Sequence, residues 1–137
     1  MKYLLDINVI SEPVKGQPDS GVVDQIKGHR DQLAIAAVVW HELKFGLYRL
    51  PPCRKRDILF KYLHEVIAPN LPILPYDEKA AAWHAEERAR LAAIGKTPPF
   101  ADSQIAAIAV SNNLILVTRN TSDFLSFNRL MTENWHT

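Results

Sequence analysis

The feature that most constrains this chain is its opening stretch, Met1 Lys2 Tyr3 Leu4 Leu5 Asp6 Ile7 Asn8 Val9 Ile10 Ser11. An apolar run of strand length that stops on an acid has the pattern of the first buried strand of a parallel sheet, with Asp6 at its carboxyl edge. A strand buried on both faces needs helices above and below it, which the chain must supply in alternation. That edge is also where open α/β sheets bind ligands. Taken alone, the stretch leaves two readings of Asp6 open: the cap of a following helix, or a functional carboxylate.

The rest of the chain supplies the alternation. Val9 to Val14 reads as a short helical turn broken by Gly16 to Pro18, and Ser20 as the cap of a helix carrying Val22, Val23 and Ile26 that ends near Gly28. Gln32 to Ala37 is the second predicted strand. It runs into a helix from Val38 to Leu50, whose apolar residues Val39, Leu43, Leu47 and Leu50 recur at helical spacing until Pro51 and Pro52. A basic helix follows from about Arg54 to Ile67, with Ile58, Leu59, Tyr62, Leu63 and Val66 on its apolar face and Pro69 as its stop. Leu71 to Leu74, fenced by Pro72 and Pro75, is a third strand at the sheet edge. Asp77 caps a long helix through Ile94, ended by Gly95, and Lys96 to Phe100 forms an exposed loop. Asp102 opens a buried helix from Ser103 to Ser111, closed by Asn112 and Asn113. Leu114 to Val117 is the fourth strand, and a weak fifth lies around Arg129 to Thr132. These elements predict right-handed crossovers and a parallel sheet in the order 3-2-1-4-5, so that Asp6 and the turn from Thr118 to Asp123 open onto one crevice.

A length of 137 residues fits one domain, 1–137, of about the commonest size. An apolar fraction of 47% with 23% charged residues is that of an ordinary soluble globule. No membrane span or secretion signal is visible, so no membrane partner and a cytoplasmic location are expected. The lone Cys53 has no partner for an internal disulfide, which agrees with a reducing compartment. A net charge of +1 is below what a tight phosphate binder usually carries, so any nucleic-acid contact must come from a local patch, a transient encounter or a composite oligomer surface.

Four acids occupy comparable positions: Asp6 after the first strand, Glu42 early in the helix after the second, Asp102 at the start of a buried helix, and Asp123 after the fourth strand. Each has a structural alternative as a cap, a solvated helical charge or a turn former. Their joint placement is harder to explain that way. Two carboxylates about 4 Å apart repel by roughly 4 kcal/mol at an effective dielectric of 20, and a domain's whole stability is about 5–15 kcal/mol. Such a cluster needs protons or a cation, and hard oxygen ligands with open positions suit Mg²⁺, with Mn²⁺ as a substitute. The chemistry these sites support is phosphoryl displacement. Ser11, Thr118 and Asn120 carry groups that either orient carboxylates and water or form turns.

With these residues in view, the chain resembles a PIN domain, and more closely the VapC toxins of bacterial type II toxin–antitoxin systems in their FitB-like branch. The resemblance rests on Leu4 to Glu12, on His41 Glu42 Leu43 through Gly46, on Asp102 to Ala107, and on Thr118 Arg119 Asn120 through Phe124. It implies a three-layer α/β/α fold around the parallel sheet and a metal-dependent ribonuclease. It further implies inhibition by a cognate VapB-like antitoxin, usually with a dimer of toxins inside a larger complex. On the matching positions Asp6 and Asp102 are the principal Mg²⁺ ligands, Glu42 and Asp123 complete the acidic site, and Asn8, Ser11, Thr118 and Asn120 support it. RNA is the implied substrate, with transfer RNA a reasonable choice beside messenger and ribosomal RNA. The chain departs from the family pattern in three places. Ile7 stands where a small polar residue is usual, Asn120 where many members have aspartate, and Glu133 Asn134 Trp135 lacks the proline often found before that tryptophan.

Other signals are weaker. His41 and Glu42 open like a zinc-protease motif, but the residue four after His41 is Phe45, and the reading fails there. His29, His64, His84 and His136 have no paired ligand spacing. Arg54, Lys55, Arg56 and Lys61 form a basic stretch that reads first as a solvated helix face. Tyr48, Tyr62 and Trp83 read as core or interface, and Val38 to Leu63 is the candidate groove for an antitoxin peptide. An aspartyl-phosphate phosphatase would need an acid where Asn8 stands. The competing reading is a catalytically inactive PIN-like module for RNA binding or protein interaction.

Overall fold

In a computed structural model covering residues 1–137, strand β1 is Tyr3–Leu5, with all three residues buried. It lies at the centre of a five-stranded sheet of order β3-β2-β1-β4-β5, where β2 is Leu33–Ala36, β3 Ile73–Leu74, β4 Ile115–Val117 and β5 Thr132–Glu133. Every pairing is parallel, with Leu4 opposite Ala34 on one side and Leu116 on the other. The predicted order is therefore the observed one. Leu4, Leu5, Ile35 and Leu116 are fully buried, each stabilising the fold by about 1.5–3 kcal/mol relative to an exposed position.

The helices fill the crossovers. They are α1 Ile7–Ile10, α2 Ser20–Gly28, α3 Ala37–Tyr48, α4 Arg54–Lys61, α5 Ala68–Asn70, α6 Glu78–Ala93 and α7 Phe100–Ser111. Asp77 caps α6 through the Ala80 N–H at 3.0 Å, as its sequence position predicts. Gly95, at φ +76°, ends it. Asn113 takes φ +56° beyond α7, a left-handed residue of the kind that closes helices. Helices α6 and α7 pack along each other, and α7 also meets α3.

Four local expectations are corrected. The cap of α2 is Asp19, whose carboxylate accepts from Gly21 and Val22 N–H, because Ser20 is already inside the first turn. The basic helix does not stop before Pro69. It widens into a π-turn over Tyr62–Ile67 and runs on through α5, with Pro69 placed directly after the widened turn. Helix α7 begins at Phe100 rather than Ser103, so Asp102 is a first-turn residue and not the cap. The fifth strand is displaced to Thr132–Glu133 because Arg129 adopts φ +63°, which takes it out of extended geometry.

Candidate active site

The site starts from the end of β1. The Asp6 N–H donates to Val117 O at 2.9 Å, extending the β1–β4 ladder by one step and setting the Asp6 side chain beside Thr118. One carboxylate oxygen accepts from Ile7 N–H at 2.8 Å, and the other from the Thr118 hydroxyl at 2.8 Å. Asp6 is therefore a helix cap and a held carboxylate at once. It is 8% exposed, and burial pushes its carboxyl above the usual range. The two hydrogen bonds oppose that rise, and the charge of Asp123 adds to it.

Asp102, half-buried in the first turn of α7, is raised in the same way, first by burial and then by the charges of Asp6 and Asp123. Three of the four predicted acids thus act on one another. Glu42 does not figure in that set: it is exposed on α3, with its carboxylate 3.7 Å from His41 Nδ1. Asp123 is exposed in the 3₁₀ turn Thr121–Phe124, and with Asp102 it lines a hollow of about 610 Å³.

The supporting residues divide. Thr118 is fully buried, and besides holding Asp6 its hydroxyl oxygen accepts from Asn120 N–H at 3.1 Å. The Asn8 side chain accepts from Arg119 N–H at 3.2 Å, tying the turn after β4 to α1. Ser11 instead donates back to Ile7 O within its own turn, and the Asn120 side chain is exposed. Sequence reasoning misses Lys96. It lines the acidic hollow together with Thr97, Pro98 and Pro99, and its one legible signal is a place six residues before Asp102 in a segment fenced by prolines.

No three His, Cys, Asp or Glu side chains are grouped closely enough to hold a metal ion among themselves. What the chain offers is an open set of hard oxygen donors whose mutual repulsion a cation relieves. That fits an ion such as Mg²⁺, which keeps several waters and takes one or two carboxylates, better than an ion that demands a full protein shell.

A parallel sheet of order 3-2-1-4-5 with acids collected at the carboxyl ends of β1 and β4 defines the class as PIN-type, and the PIN domain family model matches residues 3–130. Toxin FitB of Neisseria gonorrhoeae is 35% identical over 136 residues, covering 97% of this chain and 98% of FitB. The tRNA(fMet)-specific endonuclease VapC of Shigella flexneri is 31% identical, with 98% of each chain covered. Among solved structures, the crystal structure of FitAcB from Neisseria gonorrhoeae superposes with a TM-score of 0.88 at 34% identity, covering 98% of this chain and 99% of that one. VapBC2 from Rickettsia felis, bound to a DNA fragment from its promoter, superposes with a TM-score of 0.83 at 26% identity, covering 98% and 99%. The chain belongs to the PIN-domain family, in its branch of VapC and FitB toxins, a branch of nucleases.

Proposed function

We propose that this chain, acting as one domain over residues 1–137, is a Mg²⁺-dependent endoribonuclease and the toxin of a type II toxin–antitoxin pair. The observation that carries the reading is the gathering of Asp6, Asp102 and Asp123 at the carboxyl edge of the sheet, where burial first, and the neighbouring carboxylate charge after it, raise the Asp6 and Asp102 carboxyls. Asp6 and Asp102 would hold the ion, with Asp123 and Glu42 completing the acidic set. When bound, such an ion supplies Lewis-acid polarisation of the phosphodiester and an activated water for in-line attack. Asp6 contributes a carboxylate fixed at both oxygens by Ile7 and Thr118. Asp102 and Asp123 present negative charge across the open hollow, where the reacting phosphate and water enter. Asn8 keeps the turn that carries Thr118 and Asn120 seated against α1.

RNA is the substrate class, and transfer RNA is the first target to test, since relatives at 31% and 27% identity are named tRNA(fMet)-specific endonucleases. The cognate antitoxin is VapB-like and binds across α3 and α4. Phe45, Tyr48, Ile58 and Phe60 on those helices are about half exposed or more, as the rim of an apolar groove should be. Placing a basic antitoxin side chain against the carboxylates would compete with the metal. The toxin works as a pair of copies within that complex, in the cytoplasm. No helix is long and apolar enough to cross a membrane.

The test is cleavage of total cellular RNA by the wild-type protein and Asp6→Asn, each with Mg²⁺, Mn²⁺ or EDTA. Discrete fragments that vanish with EDTA and with Asp6→Asn are expected. If both folded proteins leave RNA intact, the inactive PIN-like binding module replaces the ribonuclease, and if both cut it equally, the carboxylate mechanism loses its support.

A further inference from the structure

The end of α6 sets a cation beside the acidic hollow. Gly95 N–H donates to Ala92 O at 3.0 Å and Lys96 N–H to Leu91 O at 2.8 Å, so the chain turns sharply and Lys96, Thr97 and Pro98 become a ridge. One flank of the ridge faces the hollow of Asp102 and Asp123. The other faces a second hollow of about 300 Å³, whose lining includes Arg88 and Phe100. The three ridge residues line both hollows, and Lys96 is the one cation lining the acidic hollow.

Neither Lys96 nor Arg88, both exposed, lies within salt-bridge distance of a carboxylate, whereas Arg90, half-buried on the same helix, is committed to Glu87 at 2.7 Å. The Arg88 guanidinium sits 5.5 Å from the centroid of the Phe100 ring, and Phe100 is 52% exposed. An acidic centre repels a polyanion, and an ion there would compensate only the phosphate that reacts. The phosphates next to it fall on whatever lines the neighbouring surface, and a chain of net charge +1 has few cations to spare. Unpaired cations beside an exposed aromatic are the parts from which single-strand grooves are built. The cleft lined by Lys15, Arg54 and Lys55 suits this less: Lys15 is paired with Glu12 at 2.8 Å, and Val14, Ile58 and Leu59 make its floor apolar.

We propose that Lys96 and Arg88, with Phe100, form a track for single-stranded RNA. Lys96 holds a phosphate adjacent to the one cleaved, Arg88 holds the next, and a base rests against Phe100. The inference builds on the ribonuclease reading and assigns positioning residues to it.

The test is binding of a short labelled single-stranded RNA to the intact protein in EDTA, by fluorescence anisotropy over a series of salt concentrations. The pair Lys96→Ala with Arg88→Ala should weaken binding about tenfold at low salt. It should also flatten the plot of log K against log salt by about 1.4, at ~0.7 for each single-strand phosphate that is no longer neutralised. Lys96→Arg with Arg88→Lys should restore both. Phe100→Leu should weaken binding with the slope unchanged, because it removes stacking and no charge. Lys27→Ala, whose side chain lines neither hollow, is the control. Wild-type binding with an unaltered slope in the folded double alanine variant overturns the track, and RNA cleavage with Mg²⁺, measured in parallel, judges the ribonuclease reading separately. A wild-type protein that does not bind RNA overturns the track as well.

Discussion

Thr118 shows how one side chain serves two ends. Its hydroxyl donates to Asp6 and accepts from Asn120 N–H, so the same oxygen orients a carboxylate and closes a turn. The sequence leaves those two roles as alternatives, and the structure merges them. For Ser11, which carries the same group, it selects the turn alone. The difference lies in direction: Thr118 is aimed by the β1–β4 pairing, and Ser11 by the helix it sits on. Thr118→Val keeps the shape and removes the donor. It should leave one oxygen of a buried carboxylate unpaired, at about 1–3 kcal/mol of stability, and lower metal affinity and cleavage about 10–100-fold, as loss of a ligand's supporting hydrogen bond does. Metal titration and cleavage kinetics check this, with Thr118→Ser expected to recover most of the loss. Full activity in Thr118→Val would show that the Asp6 orientation does not depend on this bond.

Among the elements, α6 does more than its sequence discloses. Its cap at Asp77 and its stop at Gly95 predict a long helix and say nothing of Glu87. Glu87 is buried, accepting two hydrogen bonds from Arg90 at 2.9 and 2.7 Å and one from Asn128 N–H at 2.7 Å. Arg90 also donates to Ser126 O at 2.7 Å. Helix α6 therefore clamps the segment after the Asp123 turn, which forms one wall of the acidic hollow. The Arg90 guanidinium, chiefly, holds the Glu87 carboxyl below its ordinary value of 4.5. The stability this contributes is present above 4.5 and is lost as pH falls through the lower folded value. Glu87→Ala should accelerate amide exchange across 121–129 while β1 and β4 stay protected, at about 1–3 kcal/mol for the donors left unpaired. Unchanged exchange in that segment would mean that the clamp does not hold the wall. The start of α7 was hidden for a related reason. Pro98 and Pro99 read as loop, yet a helix leaves its first N–H groups free, so Pro99 serves directly before Phe100.

At the scale of the molecule, the acidic edge costs stability at neutral pH. Asp6 and Asp102 both have folded values above the usual aspartate value of 3.8. The folded chain thus binds protons more tightly than the unfolded one, and the stability these groups contribute is complete below 3.8 and is lost as pH rises through their folded values. Asp102→Asn removes one of the repelling charges. It should therefore melt higher than wild type at neutral pH in EDTA, with the advantage vanishing below 3.8. It should also lose most of the stabilisation that a saturating divalent ion confers, which is about 2.7 kcal/mol at a hundredfold excess over Kd. Thermal melts at both pH values, with EDTA and with Mg²⁺, decide this, and a variant that melts lower than wild type at neutral pH in EDTA contradicts it. The sequence by itself determined the alternation of strands and helices, the parallel order of the sheet and the station of Asp6 at its edge. Apolar periodicity, caps and breakers act over a few residues, and the crossover rule extends them to the whole sheet. Only the tertiary structure decided that Asp6 meets Thr118 across a separation of 112 residues, that the Asn8 side chain meets the Arg119 N–H across 111, and that Arg90 on α6 reaches the Ser126 carbonyl. Those meetings depend on strand pairing and helix packing between distant segments, and no local pattern encodes the distances they set.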